Sequence, residues 1–145
     1  MAKRTAETQW AGGLTDGKGT TTLVSSGLGT YDVSFPARSR DNAEGVTSPE
    51  ELLGAAHSAC YSMQVSAMLT EAGGTVQSLT TTAEVGLGAD PAGGFKLTGI
   101  KLTVRATVPG LTAEKFAEVA EQAKSACPVS KALTGVEITL DAALA

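Results

Sequence analysis

Residues 47–63, TSPEELLGAAHSACYSM, decide how the rest of this 145-residue chain is read. The stretch opens on helix-start signals: Ser48 as N-cap, Pro49 at the first helical position, and Ser48-x-x-Glu51 in the spacing of a capping box. The expected helix runs to about Ala72, where Gly73-Gly74 supplies a stop. Leu53, Ala56, Cys60, Met63 and Ala67 recur at spacings of three and four, so they are expected to form one apolar stripe. Gly54, Ala55, Ala56, Ser58 and Ala59 keep the helix slim enough for close packing against another element. A cysteine in the middle of such a helix is either an inert core thiol or a reactive group. The chain has 2 cysteines, and the other, Cys127, lies far downstream in SACPVSKAL.

Working outward, residues 3–10, 17–24 and 31–35 read as three short strands, the last ended by Pro36. Residues 37–46, ARSRDNAEGV, read as a polar loop carrying Arg38 and Arg40. Beyond the helix, Leu79, Thr81, Ala83, Val85 and Leu87 alternate with polar or small residues, and DPAGG at 90–94 is a turn. Ile100, Leu102, Val104, Ala106 and Val108 make the cleanest period-two run in the chain, so the two runs form a hairpin with one buried face. Residues 112–125 form a second amphipathic helix with Phe116, Ala120 and Ala123 inward. Pro128 breaks it, residues 129–133 form a further helical turn, and Val136, Ile138 and Leu140 belong to a closing strand. This order predicts an α+β fold with antiparallel sheets packed on a long central helix and a second helix, in a single domain spanning 1–145.

Composition narrows the partners. A net charge of −4 disfavours nucleic acid and anionic membranes, both of which attract basic surfaces. No stretch approaches the ~20 apolar residues of a membrane helix, and residues 1–10 lack the apolar core of a signal peptide. A cytoplasmic protein with reduced thiols is expected. Aromatic residues are only 4% of the chain while glycine reaches 17 residues, so the core is thin and burial against a second subunit is attractive.

The 2 cysteines and single histidine, without CxxC or HxxxH spacing, are too few for a tetrahedral zinc site, and neither metal nor cofactor is expected. With one histidine and no GxSxG, no serine triad can be assembled. Gly17-Lys18-Gly19-Thr20 lacks P-loop spacing and reads as a turn. Cys127 is the more pointed of the two thiols, because it precedes Pro128 at a helix start where backbone N–H groups favour a thiolate. A thiol on an apolar face needs a nearby positive charge to ionise, and the candidates are Arg38, Arg40, His57, Arg105 and Lys131. His57, three residues before Cys60, is either a base or, the reading favoured here, a histidine bonded within a helical interface, and Lys131 is read as solvated. Glu51 serves the capping box, which leaves Glu50 to complement the helix dipole or to hold Arg38 in a two-pronged pair. Glu50 precedes Cys60 by ten residues, about 15 Å along a straight helix. A site containing both therefore takes Glu50 from a second subunit, or the helix is bent. On the residues alone, core thiols and a redox pair both stand.

TSPEELLGAAHSAC around Cys60 and AKSACPVSKAL around Cys127 resemble the two signature segments of the OsmC/Ohr family, the osmotically inducible and organic-hydroperoxide-resistance proteins. Trp10-x-Gly12, the GKGT at 17–20, Arg38 and the closing EITLDAAL extend the likeness over nearly the whole chain. An arginine after the third strand is more like the OsmC branch than the Ohr branch. The resemblance implies a thiol-dependent peroxidase, an intertwined homodimer with shared active sites. It makes Cys60 the peroxidatic cysteine, Cys127 the resolving cysteine, Arg38 the activator of the thiolate and Glu50 its orienting carboxylate. It implies an organic hydroperoxide as substrate in preference to hydrogen peroxide, a Cys60–Cys127 disulfide, and a dithiol reductant such as a lipoyl-bearing protein. The alternative from a different class is a non-catalytic peroxide sensor or a dimer that binds an apolar ligand.

Overall fold

The computed structural model describes all of residues 1–145, in two compact units, Met1–Leu52 and Leu53–Ala145. In the first unit β1 (Glu7–Ala11), β2 (Lys18–Thr22) and β3 (Thr30–Val33) form an antiparallel sheet in the order β1-β2-β3. These strands are shorter than their sequence runs. Phe35, read as the end of the third strand, and Ala37 and Arg38, read as loop, lie instead in a helical turn, α1 (Phe35–Arg38). Ser34 caps it, accepting a hydrogen bond from the Ala37 amide at 3.2 Å, and Pro36 suits its first turn.

Helix α2 (Pro49–Glu71) begins at the end of the first unit and continues through the second. Ser48 Oγ accepts from the Glu51 amide at 3.1 Å, so half of the expected capping box forms. The Glu51 carboxylate instead accepts from the Thr47 hydroxyl. At the far end Gly73 takes φ 92°, and the Gly74 amide closes onto the Leu69 carbonyl at 3.0 Å. That left-handed stop is the one its glycine pair predicts.

The second unit holds β4 (Ser78–Ala89), β5 (Phe95–Thr107), α3 (Ala113–Ala126), α4 (Pro128–Ala132) and β6 (Ile138–Leu144). β4 and β5 form the expected hairpin around the turn at 90–94, with a register shift at Gly86/Leu87. β6, however, pairs parallel to β5, Ile100 opposite Ile138 and Val104 opposite Ala142, so this sheet is mixed rather than antiparallel throughout. The two helices between β5 and β6 make the long crossover that parallel pairing requires.

The core of this unit joins Leu102, Val104 and Ala106 of β5 with Phe116, Val119, Ala120 and Ala123 of α3 and with one face of α2. That face differs from the expected stripe. Tyr61, Val65 and Leu69 are fully buried, with His57 behind them, whereas Met63, Ala56 and Ala67 are exposed and Leu53 and Cys60 half-buried. Aromatic and aliphatic bulk outweighs the periodicity of small residues, since each buried Val or Leu contributes about 1.5–3 kcal/mol and an alanine much less. The polar groups on this face find partners, except for His57 Nδ1, which is buried with none. Tyr61 donates its hydroxyl to the Ala120 carbonyl at 2.8 Å, and His57 meets Ser130. Gly54 lies against the Ala83 carbonyl of β4, where an added Cβ would stand 3.0 Å from that oxygen.

Candidate active site

Each unit brings together one pair of the candidate side chains. In residues 1–52, α1 presents Arg38 and the first turn of α2 presents Glu50. Arg38 Nε donates to both carboxylate oxygens, at 3.1 and 3.0 Å, and its Nη2 donates to Oε1, which closes a fork. The side chains are 30% and 10% exposed. Burial pushes the Glu50 carboxyl up, but the Arg38 guanidinium, its own backbone amide and Ser48 outweigh it and hold the group below the usual carboxylate range. Arg38 is in turn raised, chiefly by its hydrogen bonds to Glu50. The two-pronged pair expected for Glu50 is therefore present, and it separates the arginines. Arg40 reaches only Glu44, at 2.8 Å, with both side chains more than half exposed.

In residues 53–145 the 2 cysteines meet. Cys60 lies midway along α2, and Cys127 is the residue between α3 and α4. Pro128 puts it there, because a residue before proline is driven out of the helical conformation; Cys127 has φ −58° and ψ 125°. Their Sγ atoms are 3.2 Å apart and both are free thiols. Cys60 is half-buried and Cys127 fully buried. Burial raises the Cys60 thiol, and Cys127 adds to the rise. Burial acts on Cys127 in the same direction, but the Ser130 amide, Cys60, the Ser130 hydroxyl and the Val129 amide overcome it and bring the thiol down. Within residues 53–145 no lysine or arginine contributes to either ionisation.

The remaining candidate charges lie elsewhere. Arg105 forms a fork with Asp141 on the exposed side of the sheet, at 3.1 and 2.9 Å, and Lys131 is exposed. His57 is no cation at neutral pH, because burial lowers its pKa from an ordinary value already below 7. It is bonded within a helical interface, as read from the sequence, with Nε2 2.8 Å from Ser130 Oγ. Ser130 is the residue that sequence reasoning missed. Its signal was its place in Cys-Pro-Val-Ser, three residues after a helix-capping cysteine, where a side chain can turn back toward the cap. No group of three or more His, Cys, Asp or Glu side chains is placed to hold a metal ion.

The family model for OsmC-like protein matches residues 41–141, which include Glu50 and both cysteines. The chain belongs to the OsmC family. Peroxiredoxin OsmC of Escherichia coli (strain K12) is 44% identical over 135 residues, covering 93% of this chain and 92% of that protein. Among solved structures, the organic hydroperoxide resistance protein OhrB of Bacillus subtilis superposes with a TM-score of 0.73 at 30% identity, covering 95% of this chain and 97% of the other. An organic hydroperoxide resistance protein from Elizabethkingia anophelis, with thiocyanate bound, superposes with a TM-score of 0.78 at 27% identity over 99% of both chains. No helix of this OsmC-family chain is long and apolar enough to cross a membrane.

Proposed function

We propose that this chain is a two-cysteine peroxidase that reduces organic hydroperoxides, with Cys60 peroxidatic and Cys127 resolving. A peroxide-related redox function follows from its kinship with peroxiredoxin OsmC. The observation that carries the finer reading is the 3.2 Å approach of a half-buried thiol to a fully buried one. The Cys60 thiolate attacks the terminal oxygen of ROOH, the O–O bond breaks, and the alkoxide takes a proton and leaves as alcohol. Cys60 is then a sulfenic acid, already in contact with the thiol that condenses with it. Water leaves, the Cys60–Cys127 disulfide forms, and over-oxidation is avoided. A dithiol, such as a lipoyl-bearing protein, reduces the disulfide by exchange and is itself oxidised. A reducing compartment such as the cytoplasm keeps both thiols ready. The apolar residues beside Cys60 on α2, Leu53 and Met63, favour alkyl over hydrogen peroxide.

The site is completed by a second copy of the chain. The face of α2 left outside the core carries Ala55, Ala56, Ala59, Met63 and Ala67, all exposed, with Met63 at 74%. Small residues in that pattern accept the close approach of a second helix. Cys60 needs a fixed cation, and the only arginine held by a buried carboxylate is Arg38, through Glu50 at the start of α2. Ten residues of unbroken helix, about 15 Å, separate Glu50 from Cys60. The Arg38–Glu50 pair of one subunit therefore serves Cys60 of the other in an intertwined homodimer, and each chain of 145 residues acts as a single domain. There Arg38 stabilises the thiolate and the charge developing on the peroxide oxygens.

Intact mass of the reduced, chelator-treated protein after one equivalent of cumene hydroperoxide tests this reading, with hydrogen peroxide in parallel. The expected result is loss of two hydrogens, mapped to a Cys60–Cys127 cross-linked peptide and fastest with the organic peroxide. Two thiols that survive untouched would return the pair to the core and end the proposal.

A further inference from the structure

His57 is the one histidine of the chain, and peroxide reduction as described does not use it. It is fully buried on the inward face of α2, one turn before Cys60, and its Nε2 lies 2.8 Å from Ser130 Oγ. Ser130 stands as far after Cys127 as His57 stands before Cys60, three residues in each case. A buried hydrogen bond therefore joins the stretch of α2 that carries one sulfur to the helical turn that follows the other.

The two helices that flank Cys127 are held in different ways. α3 has 14 residues and buries Phe116, Val119, Ala120 and Ala123, so apolar packing fixes it. α4 has 5 residues, no side-chain cap at Cys127, and one buried residue, Ser130; Val129 adds only a partly buried contact with the core. A helix so short does not sustain itself in water, so its place is set by what it meets. At its buried position stands a hydroxyl that meets the His57 ring. An apolar side chain there would tolerate sliding, whereas a buried hydroxyl is accommodated only where its partner is in reach. The other ring nitrogen, Nδ1, is buried with no hydrogen-bond partner. A bare lone pair there is a smaller loss than a bare N–H, so the proton sits on Nε2 and is donated to Ser130 Oγ.

We propose that His57 is a positioning residue for the resolving step: through Ser130 it fixes α4 on α2, so that Cys127 stands against Cys60, with the Sγ atoms 3.2 Å apart, before any peroxide arrives. The inference rests on the resolving role proposed above for Cys127. Resolution competes with a second peroxide for the Cys60 sulfenic acid. In resolution the Cys127 sulfur bonds to the sulfenic sulfur, the S–O bond breaks, and the hydroxyl leaves as water with the proton of Cys127. The Cys127 sulfur is oxidised and the sulfenic sulfur reduced. In the competing reaction a second ROOH transfers an oxygen to that sulfur, giving a sulfinic acid and an alcohol. A thiol already in place has the advantage, because the entropy of bringing the sulfurs together was lost on folding. His57 neither gives nor takes a proton in this scheme.

The test measures the sulfur pair twice in the full chain. Without peroxide, the Cys60–Cys127 disulfide is equilibrated with a glutathione buffer, which reads how well the fold holds the two sulfurs together. His57→Leu and Ser130→Ala are each expected to lower that equilibrium constant about tenfold, and the double variant no further than either alone. His57→Gln, whose amide can donate to Ser130, should restore most of it. Tyr61→Phe removes a buried hydrogen bond to α3 instead and should leave the constant unchanged, whereas general loosening of the core would move it as well. With excess cumene hydroperoxide, intact mass should show the ratio of Cys60 sulfinic acid to disulfide raised about tenfold in His57→Leu and Ser130→Ala. That ratio does not depend on how fast the sulfenic acid forms. An unmoved glutathione equilibrium overturns the inference whatever the peroxide result. An equal shift in Tyr61→Phe, additive shifts in the double variant, or an unmoved ratio in variants that still consume peroxide overturn it too. A shifted equilibrium in a protein that consumes no peroxide supports the hold of His57 and Ser130 on the sulfurs and sinks the peroxidase reading alone.

Discussion

The two units of the chain divide between them the residues proposed for thiol chemistry. Residues 1–52 hold a charged pair, Arg38 and Glu50, joined by a fork and partly open to solvent. Residues 53–145 hold the two sulfurs among apolar side chains, with no lysine or arginine acting on them. The charged pair is local, twelve residues apart, and depends on the end of α1 meeting the first turn of α2. The thiol pair is distant in sequence and depends on the core. A charge survives where water and a carboxylate support it, whereas a thiol is protected from over-oxidation where water is scarce. Keeping them on different parts of the chain satisfies both conditions, and the proposed dimer brings them together only at the reacting sulfur.

Cys60→Ser gives the largest expected effect and tests the sulfur side. It should lower consumption of cumene hydroperoxide with a dithiol by about a thousandfold or more, while Cys127→Ser should allow a single turnover followed by over-oxidation visible by mass. Arg38→Ala tests the charged side and should cost about a hundredfold in peroxide rate. It should also remove about 1–2 kcal/mol of stability, read as a lower urea midpoint. The pH dependence of that stabilisation has a defined sign. Because the folded Glu50 pKa lies below its unfolded value, the contribution is complete above the ordinary carboxylate pKa and is lost as pH falls through the depressed one. Wild type and Arg38→Ala should therefore differ in urea midpoint at pH 7 and converge in strong acid. Convergence already at pH 6 would show that the pair contributes nothing.

Met63→Glu tests whether a second subunit joins the two regions. A charge on the exposed face of α2 should shift sedimentation from dimer to monomer and lower turnover in proportion, while thermal stability of the monomer changes little. Tyr61→Phe leaves the Ala120 carbonyl without its partner and should cost about 1 kcal/mol in urea unfolding, with peroxide kinetics intact. Arg40→Ala should do least, below about 0.5 kcal/mol and with no rate change, since its ion pair with Glu44 is exposed. A rate loss in Arg40→Ala equal to that of Arg38→Ala would overturn the choice between the two arginines.

The sequence by itself determined most of the elements and both ends of the long helix. Ser48, Pro49 and Gly73 bound the long helix because caps and stops act within a few residues, and the alternation from Ile100 to Val108 marks a half-buried strand for the same local reason. It also carried the two signature segments that contain Glu50, Cys60 and Cys127, with Arg38 outside them as a further point of resemblance. Three things were left to the tertiary structure. The parallel pairing of β6 depends on where α3 and α4 deliver the chain, and alternation alone does not record direction. The short helix that presents Arg38 is written only in Ser34 and Pro36, beside a run that looks equally like strand. The inward face of α2 is not legible in the sequence, because alanine, glycine and serine surround the helix and periodicity favours no side. Tyr61 and His57 turn inward where Ala120 and Ser130, 59 and 73 residues away, partner the Tyr61 hydroxyl and the His57 Nε2. The cost of burying a polar group is set by a partner that only the folded chain brings near.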